Sequence, residues 1–370
     1  MTNIDRREWL KTLGLTGGLA LLKPSELLAL DEPVNTTFSN SPIMLNANEN
    51  AYGPSERVKK VISDNLNIGC RYPFRSLSSL VDLIAEKEEI HRDSIVITGG
   101  STEGLKATGL VYGLYKGEII AADPTFQAML SYAETFDAKV HRVPLNPKME
   151  HDLDAMAAKV NKNTKLIFIC NPNNPTGTLL DRNHLIDFCK AFDKSALIFS
   201  DEAYYDFITE ADYPSMTKLV KEGRNVIVSK TFSKVYGLAG LRIGYLIAKP
   251  EIAKNLKAAV MANTNTLAIE AAKEALKDDA FYKYSITQNI KAKELIYKTL
   301  EDLGMEYIPS HTNFVFFKTG IPITSFSEQM SAKNIIVGRP FPPLLNWARI
   351  STGRLEDVKS FTTALKTVMG

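Results

Sequence analysis

Short apolar runs alternate with amphipathic stretches over much of the chain, beginning near residue 94. The runs are rich in Ile, Val, Leu and Phe and are bounded by turn-forming residues, which is typical of buried strands. Seven strands are predicted here: Ser94–Thr98, Glu118–Ala121, Val140–Val143, Lys165–Cys170, Ala196–Ser200, Asn225–Ser229 and Arg242–Ala248. Because these runs are continuously apolar, both faces of the sheet should be covered by helices. The pattern predicts an α/β domain with a mostly parallel sheet.

The pattern changes after Pro250. Long amphipathic helices are predicted over Glu251–Lys277 and Phe281–Gly304, followed by two strands, Phe314–Lys318 and Ala348–Thr352, and a closing helix. This order predicts a second, smaller α+β domain. The predicted segments are residues 1–30, an N-terminal arm over 31–75, a large domain over 76–250 and a small domain over 251–370.

Charge and composition exclude several classes of function. The 370 residues include 44 Lys and Arg against 42 Asp and Glu, which argues against a nucleic-acid binder. The three cysteines lie far apart without a CxxC motif, so a disulfide framework is not expected. The histidines form no HExxH motif or cluster, and no metal site is predicted. No apolar run reaches the ~18 residues of a transmembrane helix.

The first thirty residues differ from the rest of the chain. The sequence Arg6–Lys11 (RREWLK) precedes a mildly apolar run with no acidic residue until Glu26. This resembles the twin-arginine (Tat) export signal, and an amphipathic helix with two surface arginines is the alternative. The resemblance implies export of a folded protein to the periplasm, with the signal cleaved or retained as an anchor. A cytoplasmic location is the alternative.

Two turn-like segments follow predicted strands at the edge where open α/β sheets bind ligands. In Thr98–Lys106 (TGGSTEGLK), backbone N–H groups and the hydroxyls of Ser101 and Thr102 could bind a phosphate. A simple helix cap is the alternative. In Asn171–Gly177 (NPNNPTG), the Asn174 amide is a fixed donor suited to a ring oxygen. A turn with no further role remains the alternative there.

Two more segments carry charged groups. Ser200–Phe207 (SDEAYYDF) places Asp201 at the end of a buried strand, where a carboxylate needs a cation or hydrogen-bond donors, with Tyr204 close by. Asp201 therefore either caps a helix or binds a cation. Thr231–Tyr245 (TFSKVYGLAGLRIGY) places Lys234 among hydroxyls and glycines. A phosphate there would hold Lys234 beside a phosphorylated ligand as a partly desolvated nucleophile, whereas a solvated loop lysine is the alternative.

These motifs, in this order and spacing, resemble those of pyridoxal-phosphate-dependent aminotransferases of fold type I, class I/II, from Leu45 to the C-terminus. Leu45–Ser55 (LNANENAYGPS), which contains Tyr52, and ARISTG, which contains Arg349, further resemble the histidinol-phosphate aminotransferase-like group. The resemblance implies a large α/β/α domain around a mostly parallel seven-stranded sheet and a smaller α+β C-terminal domain.

The resemblance also implies pyridoxal 5'-phosphate as the cofactor. Lys234 would bind it covalently and act as the general base. Asp201 would pair with the pyridine nitrogen, Asn174 and Tyr204 would bind the phenolic oxygen, and Phe126 would stack on the ring. The implied phosphate ligands come from several segments: Ser101, Thr102, Thr231, Ser233, Arg242 and, from the neighbouring subunit, Tyr72. A site shared in this way requires a homodimer.

Tyr52, Arg349 and Arg339 are the implied substrate-binding residues. Arg349 would clamp the substrate anion with its planar fork. In NIIVGRPFPP, however, Gly338 displaces Arg339 by one position from the pattern of the group, and a one-residue shift in a strand reverses the face of a side chain. The prolines and Phe341 that follow favour an apolar wall. The amino donor is therefore open among histidinol phosphate, an aromatic amino acid and glutamate, with a 2-oxo acid as acceptor in a ping-pong reaction.

Two other functions use the same motifs. A decarboxylase or carbon–sulfur lyase would share the scaffold, because the reaction depends on which Cα bond lies perpendicular to the ring. A non-catalytic pyridoxal-phosphate-binding protein is the alternative from another class. Intact Lys234 and Arg349 argue against it, since such a protein needs neither the covalent lysine nor the substrate clamp.

Overall fold

The computed structural model describes residues 41–370, and residues 42–370 form one compact unit. The predicted export signal and residues 31–40 of the predicted N-terminal arm lie outside the described residues. The strands are β1 Ile43–Met44, β2 Ile95–Thr98, β3 Glu118–Asp123, β4 Lys139–Pro144, β5 Thr164–Cys170, β6 Leu197–Asp201, β7 Val226–Thr231, β8 Gly244–Ala248, β9 Tyr307–Ile308, β10 Phe314–Lys318, β11 Ile335–Ile336 and β12 Trp347–Ser351.

Along the chain, α-helices separate most of these strands. They are α1 Glu56–Asp64, α2 Phe74–Glu88, α3 Ser101–Gly113, α4 Ala128–Glu134, α5 Leu153–Ala157, α6 Arg182–Phe192, α7 Thr217–Lys221, α8 Pro250–Ala259, α9 Thr266–Ala275, α10 Asp279–Asp302, α11 Ile323–Ser331 and α12 Leu355–Met369. Within residues 41–370 no helix combines the length and the apolar character needed to cross a membrane.

Seven strands form one sheet in the order β2-β8-β7-β6-β5-β3-β4. The pairs among β3 to β7 are parallel, and β8 runs antiparallel to both β7 and β2. On β5, Ile167 and Ile169 pack into the core on one face, whereas Leu166 and Phe168 pack into the core on the other. The predicted mostly parallel sheet, with both faces covered, is confirmed. Its topology brings the start of β8 to the edge where the parallel strands end.

The predicted continuous helix over Glu251–Lys277 is wrong, because the chain forms two helices there. The second helix, α9, begins after Asn265, whose side chain accepts a hydrogen bond from the Ala268 N–H at 2.8 Å. Such an N-cap satisfies a backbone donor that a continuous helix would bond internally. Ile252 of α8 packs on one face of the sheet and Ile269 of α9 on the other.

A second core lies beyond these helices. It contains side chains of α10, α11, α12, β10 and β12, together with Leu45 from the beginning of the described chain. β12, β10 and β9 form an antiparallel sheet, and β1 pairs in parallel with β11. The domain boundaries at residues 75 and 250 stay predictions. Because β1 pairs with β11, residues 46–50, which follow β1, lie at the edge of the large sheet where its parallel strands end.

Candidate active site

A cavity of about 400 Å³ lies at the edge where the parallel strands end. It brings together most of the residues predicted to form the site: Ser101, Thr102, Phe126, Asn174, Asp201, Tyr204, Ser233, Lys234, Arg242, Arg339 and Arg349. These residues come from widely separated segments, yet each lies in or close to a strand of one of the three sheets. The sheet topology is therefore what assembles the cavity.

Lys234 lies on a loop after β7 and points into this cavity. Its Nζ donates a hydrogen bond to the Asn48 carbonyl oxygen at 2.8 Å and lies 5.5 Å from the centre of the Tyr204 ring. Burial, together with the charges of Arg349 and Arg242, lowers the pKa of Lys234 to about 8. An amine with this pKa has a sizeable neutral fraction near neutral pH, which a nucleophile or general base requires.

Asp201 ends β6 with its carboxylate fully inside the protein. The Ala203 N–H donates a hydrogen bond to Oδ1 at 3.2 Å. Burial, together with the charge of the neighbouring Glu202, raises the pKa of Asp201 to about 7 against the opposing effects of the Ala203 N–H and Lys234. A bound cation, such as a protonated pyridine nitrogen, would stabilise the ionised carboxylate.

A network of buried charges lies behind Asp201. Glu202 accepts hydrogen bonds from the Ser215 hydroxyl at 2.6 Å and the Met216 N–H at 2.7 Å, and lies 3.9 Å from Lys230 Nζ. Lys230 in turn donates to both carboxylate oxygens of Glu88, at 3.0 and 2.9 Å. Lys230 thus offsets two carboxylates close to the ends of β6 and β7, where an unpaired buried charge would be costly.

The Tyr204 hydroxyl receives two amide donors. Asn48 Nδ2 lies 3.0 Å and Asn174 Nδ2 lies 3.2 Å from its oxygen. The ring packs edge-on against Phe314 of β10. Burial raises the pKa of Tyr204 to about 12, so the phenol keeps its proton at any ordinary pH. The predicted pair of Asn174 and Tyr204 is therefore joined by a third residue, Asn48.

The opposite end of the cavity is shaped for an anion. It is formed by the start of α3, by Arg242 and by Ser233, whose hydroxyl oxygen lies 3.5 Å from an Arg242 nitrogen. A Cβ atom added to Gly244 would lie 2.8 Å from the Ser101 backbone nitrogen, and one added to Gly100 would collide with the Arg242 guanidinium. Because Gly100 and Gly244 lack side chains, β8 and Arg242 can lie close to the start of α3. The backbone N–H groups in the first turn of a helix have no partner within the helix and can bind an anion.

Arg349 of β12 closes the cavity from the second core. Its guanidinium donates to Asn174 Oδ1 at 2.8 Å and to the Asn46 carbonyl at 2.7 Å, and its buried Nε has no partner among residues 41–370. Burial lowers the pKa of Arg349 to about 10, which leaves it charged at neutral pH. A buried cation without a carboxylate partner is suited to binding an anionic substrate.

Arg339 also lines the cavity, although Gly338 precedes it. A Cβ atom on Gly338 would lie 2.6 Å from the Arg349 carbonyl oxygen, so the glycine lets this segment lie flat against β12. The Arg339 guanidinium is exposed and stacks on Phe341, with 4.5 Å between its carbon and the ring centre. Arg349 lies 4.9 Å from the same ring. Arg339 therefore lines the cavity in spite of its one-residue displacement in the sequence, and its binding of substrate stays a prediction.

Three predicted site residues do not line the cavity in this chain. Thr231 is buried beside it and accepts a hydrogen bond from the Ser233 N–H at 3.1 Å, so it positions Ser233. The Tyr52 hydroxyl oxygen accepts from the Leu355 N–H at 3.0 Å, and its ring packs against Tyr284. Tyr52 caps the start of α12 instead of facing the cavity. Tyr72 is 81% exposed, so its predicted role requires a neighbouring subunit.

Sequence reasoning missed several residues that hold the site together. Asn48 lines the cavity with a left-handed backbone (φ 55°). Its carbonyl oxygen accepts from Asn313 Nδ2 at 3.0 Å as well as from Lys234, and its N–H donates to the Ser351 hydroxyl at 2.7 Å. The sequence NANEN held a signal, since asparagine is among the residues that tolerate a positive φ.

Comparison with known proteins identifies the family to which this chain belongs. The family model "Aminotransferase class I and II" matches residues 40–365. The chain belongs to this aminotransferase family. The aminotransferase is 36% identical over 331 residues to histidinol-phosphate aminotransferase of Moorella thermoacetica, covering 88% of this chain and 85% of that protein. It is 35% identical to the Bacillus cytotoxicus enzyme of the same name, covering 88% and 89%.

Solved structures share the fold of this aminotransferase. Histidinol-phosphate aminotransferase of Sinorhizobium meliloti, in complex with pyridoxal-5'-phosphate, superposes with a TM-score of 0.82 at 23% identity, covering 95% of this chain and 98% of that one. L-threonine-O-3-phosphate decarboxylase of Porphyromonas gingivalis superposes at 0.75 with 24% identity, covering 88% and 98%. Two reactions thus occur on one fold, and the family is what identifies this chain as an aminotransferase of the histidinol-phosphate aminotransferase-like group.

Aminotransferases of this family depend on pyridoxal 5'-phosphate, and the cavity fits that cofactor. The glycine-lined anion site suits its phosphate, and Asp201 lies where a buried carboxylate requires a cation. Lys234 supplies an amine with a lowered pKa. Phe126 also lines the cavity. The donors present thus match the phosphate, the pyridine nitrogen and the aldehyde of one molecule.

Proposed function

We propose that this aminotransferase takes its amino group from histidinol phosphate and transfers it to a 2-oxo acid. The observation that carries the proposal is the presence of two cations, Arg349 and Arg339, on one cavity wall around Phe341. Neither guanidinium has a carboxylate partner in residues 41–370. The two relatives at 35–36% identity carry the name of this activity.

In the proposed reaction each residue of the site has a separate role. Pyridoxal phosphate supplies an electron sink for the substrate Cα. Lys234 Nζ would take up the Cα proton as general base, because its pKa of about 8 leaves part of the amine neutral. Asp201 would hold the proton on the pyridine nitrogen, Tyr204 and Asn174 would bind the phenolic oxygen, and Arg349 would orient the substrate anion. Arg339, at the exposed rim, binds the phosphate of the donor.

The half-reaction with single donors tests this proposal. The loaded protein is mixed in turn with histidinol phosphate, glutamate, phenylalanine and tyrosine, and loss of its visible absorbance is followed. Histidinol phosphate should react at the lowest concentration. Arg339→Gln should raise the concentration needed for histidinol phosphate by about tenfold or more while leaving that for phenylalanine within about threefold. Reaction with the aromatic donors alone would refute the proposal and indicate an aromatic aminotransferase.

We also propose that the enzyme is a homodimer in which Tyr72 reaches the cofactor phosphate of its partner. Tyr72 stacks on Phe74, and Leu66, Tyr72 and Phe74 are 61%, 81% and 68% exposed. Exposed apolar groups of this size favour an interface. Size-exclusion chromatography with light scattering tests it, since a monomeric mass at micromolar concentration would exclude a stable dimer.

We further propose that the protein is exported through the Tat route, on the basis of the RREWLK sequence at Arg6–Lys11. Folded, cofactor-loaded proteins suit this route. Cell fractionation tests it: the wild-type chain should lie outside the cytoplasm, and replacing Arg6 and Arg7 with lysine should retain it inside. Equal distribution of both proteins would contradict export.

A further inference from the structure

The direction of the Tyr204 hydroxyl proton can be deduced from the hydrogen bonds around it. A phenol oxygen has two acceptor positions and one proton. Whether Tyr204 donates into the cavity or accepts from it depends on how the amides of Asn48 and Asn174 are turned. Each amide could present either its NH₂ group or its oxygen, so each orientation must follow from a partner whose role is fixed.

The orientation of Asn174 follows from Arg349. The guanidinium has no acceptor, so the Asn174 atom 2.8 Å from the Arg349 nitrogen must be the carbonyl oxygen Oδ1. The NH₂ group of Asn174 therefore faces the Tyr204 oxygen, at 3.2 Å. One acceptor position of Tyr204 is occupied.

The orientation of Asn48 follows from its own backbone. The Asn48 N–H donates to the Ser351 hydroxyl oxygen at 2.7 Å, and that hydroxyl lies 3.0 Å from the Asn48 side chain. Among residues 41–370 the Asn48 side chain is the only acceptor available to the Ser351 hydroxyl proton, so this proton is satisfied only when Asn48 turns its Oδ1 toward Ser351. The NH₂ group of Asn48 is then left to face Tyr204 at 3.0 Å. The second acceptor position of Tyr204 is occupied too.

With both acceptor positions filled, the proton of Tyr204 has one direction left. Among residues 41–370 no acceptor forms a hydrogen bond with this proton, and Tyr204 lines the cavity. We propose that Ser351 and Asn48 are positioning residues that act through Tyr204, and that they hold its hydroxyl as a hydrogen-bond donor toward the phenolic oxygen of the cofactor. The relay runs from the backbone of Asn48 through Ser351 and back to the Asn48 side chain.

Two neighbours keep the relay in place. Asn313 Nδ2 donates to the Asn48 carbonyl at 3.0 Å, and the Ser351 N–H donates to the Leu45 carbonyl at 2.9 Å. Asn48 itself has a φ of 55°, a conformation open to asparagine, aspartate and glycine at little strain. Two informative substitutions at this position therefore keep the backbone as it is.

The inference rests on the cofactor occupying the cavity and does not depend on which substrate the enzyme uses. Its test compares two ligands on the cofactor-stripped full-length protein by calorimetry: pyridoxamine phosphate and the same molecule without its 3-hydroxyl. The ratio of their dissociation constants measures what a donor to the phenolic oxygen contributes. In the wild-type protein the hydroxylated ligand should bind about tenfold or more tightly, as expected for a hydrogen bond to a charged group.

The variants separate positioning from packing. In Asn48→Asp, the new carboxylate accepts the Tyr204 proton, so the ratio should fall close to one, as it should in Tyr204→Phe. In Asn48→Gly, the Tyr204 proton stays free to face the cavity, and the ratio should remain within about threefold of wild type. Ser351→Ala, which adds no charge, frees the Asn48 amide to turn and should lower the ratio to an intermediate value. Asn183→Asp, an exposed change of the same type, is the control.

A role in packing alone predicts the opposite order, because glycine removes more of the side chain than aspartate does. A ratio lowered at least as much by Asn48→Gly as by Asn48→Asp would overturn the proposal. So would a wild-type ratio in Asn48→Asp or in Ser351→Ala. Substrate specificity plays no part in these measurements, so failure here would leave the proposed amino donor unaffected.

Discussion

At the scale of single residues, the ionisation of Lys234 is set by opposing neighbours. Burial and Arg349 lower its pKa to about 8, whereas Glu49 and Asp201 raise it. Because the neutral amine is the reactive form, the rate at which the stripped protein captures pyridoxal phosphate should rise about tenfold per pH unit below pH 8 and level off above it. Stopped-flow absorbance between pH 6 and 10 measures this.

Two substitutions should move that profile in opposite directions. Arg349→Met removes a cation, which raises the pKa of Lys234 and shifts the plateau to higher pH. Glu49→Gln removes an anion, which lowers the pKa and shifts the plateau to lower pH. Lys234→Ala should show no capture. A rate that rises in parallel in all three lysine-containing proteins up to pH 10 would mean that Lys234 has an ordinary pKa.

The residues of the site divide into those that sequence motifs reveal and those that only the fold reveals. Asn174, Asp201 and Lys234 could be singled out because each follows a predicted strand at the same edge of one sheet, and the resemblance of their motifs to those of aminotransferases implied their roles. Asn48 and Ser351 are 303 positions apart and meet only because β1 pairs with β11 beside β12. Tyr52 was predicted to face the substrate, but its position depends on the docking of α12.

At the scale of elements, Gly338 couples two neighbouring segments of the substrate wall. Its N–H donates to the Arg349 carbonyl at 3.1 Å, and an added Cβ would lie 2.6 Å from that oxygen. In Gly338→Ala, β12 and Arg349 must shift, so KM for the amino donor should rise about tenfold or more. The glycines of the phosphate end are untouched, so affinity for pyridoxal phosphate should stay within about twofold of wild type.

Steady-state kinetics and a cofactor titration of Gly338→Ala check both halves of this prediction. A loss of cofactor affinity equal to the rise in KM would indicate general unfolding of the site.

The break between α8 and α9 shows what hydrophobic periodicity cannot predict about helices. Hydrophobic periodicity runs through Glu251–Lys277, yet Asn265 starts a new helix, because α8 and α9 pack on opposite faces of the sheet. Periodicity alone cannot show that change of face.

At the scale of the whole molecule, the proposed dimer makes each site depend on two chains. Lys234→Ala and Tyr72→Ala should each be nearly inactive as separate homodimers. When the two proteins are unfolded together and refolded, half of the dimers should be mixed, and each mixed dimer should hold one intact site. Recovered activity should then approach about a quarter of the wild-type value.

Activity that stays at the level of the separate variants after mixing would show that Tyr72 acts within its own chain or not at all. Refolded wild-type protein is the reference, because it corrects for losses on refolding. Mass spectrometry of the intact dimers confirms that mixed species have formed.

The cleft around Gly100 and Gly244 also bears on how the chain folds. Gly100 follows β2 and Gly244 begins β8, so the two glycines are far apart in the sequence. Their backbones meet only after β8 has paired with both β2 and β7. A fragment that lacks either β2 or β8 therefore cannot build the phosphate end. Since only the completed sheet binds the cofactor, added ligand should slow global unfolding and leave early collapse unchanged. The onset of cofactor binding during refolding therefore shows when β8 has paired with β2 and β7.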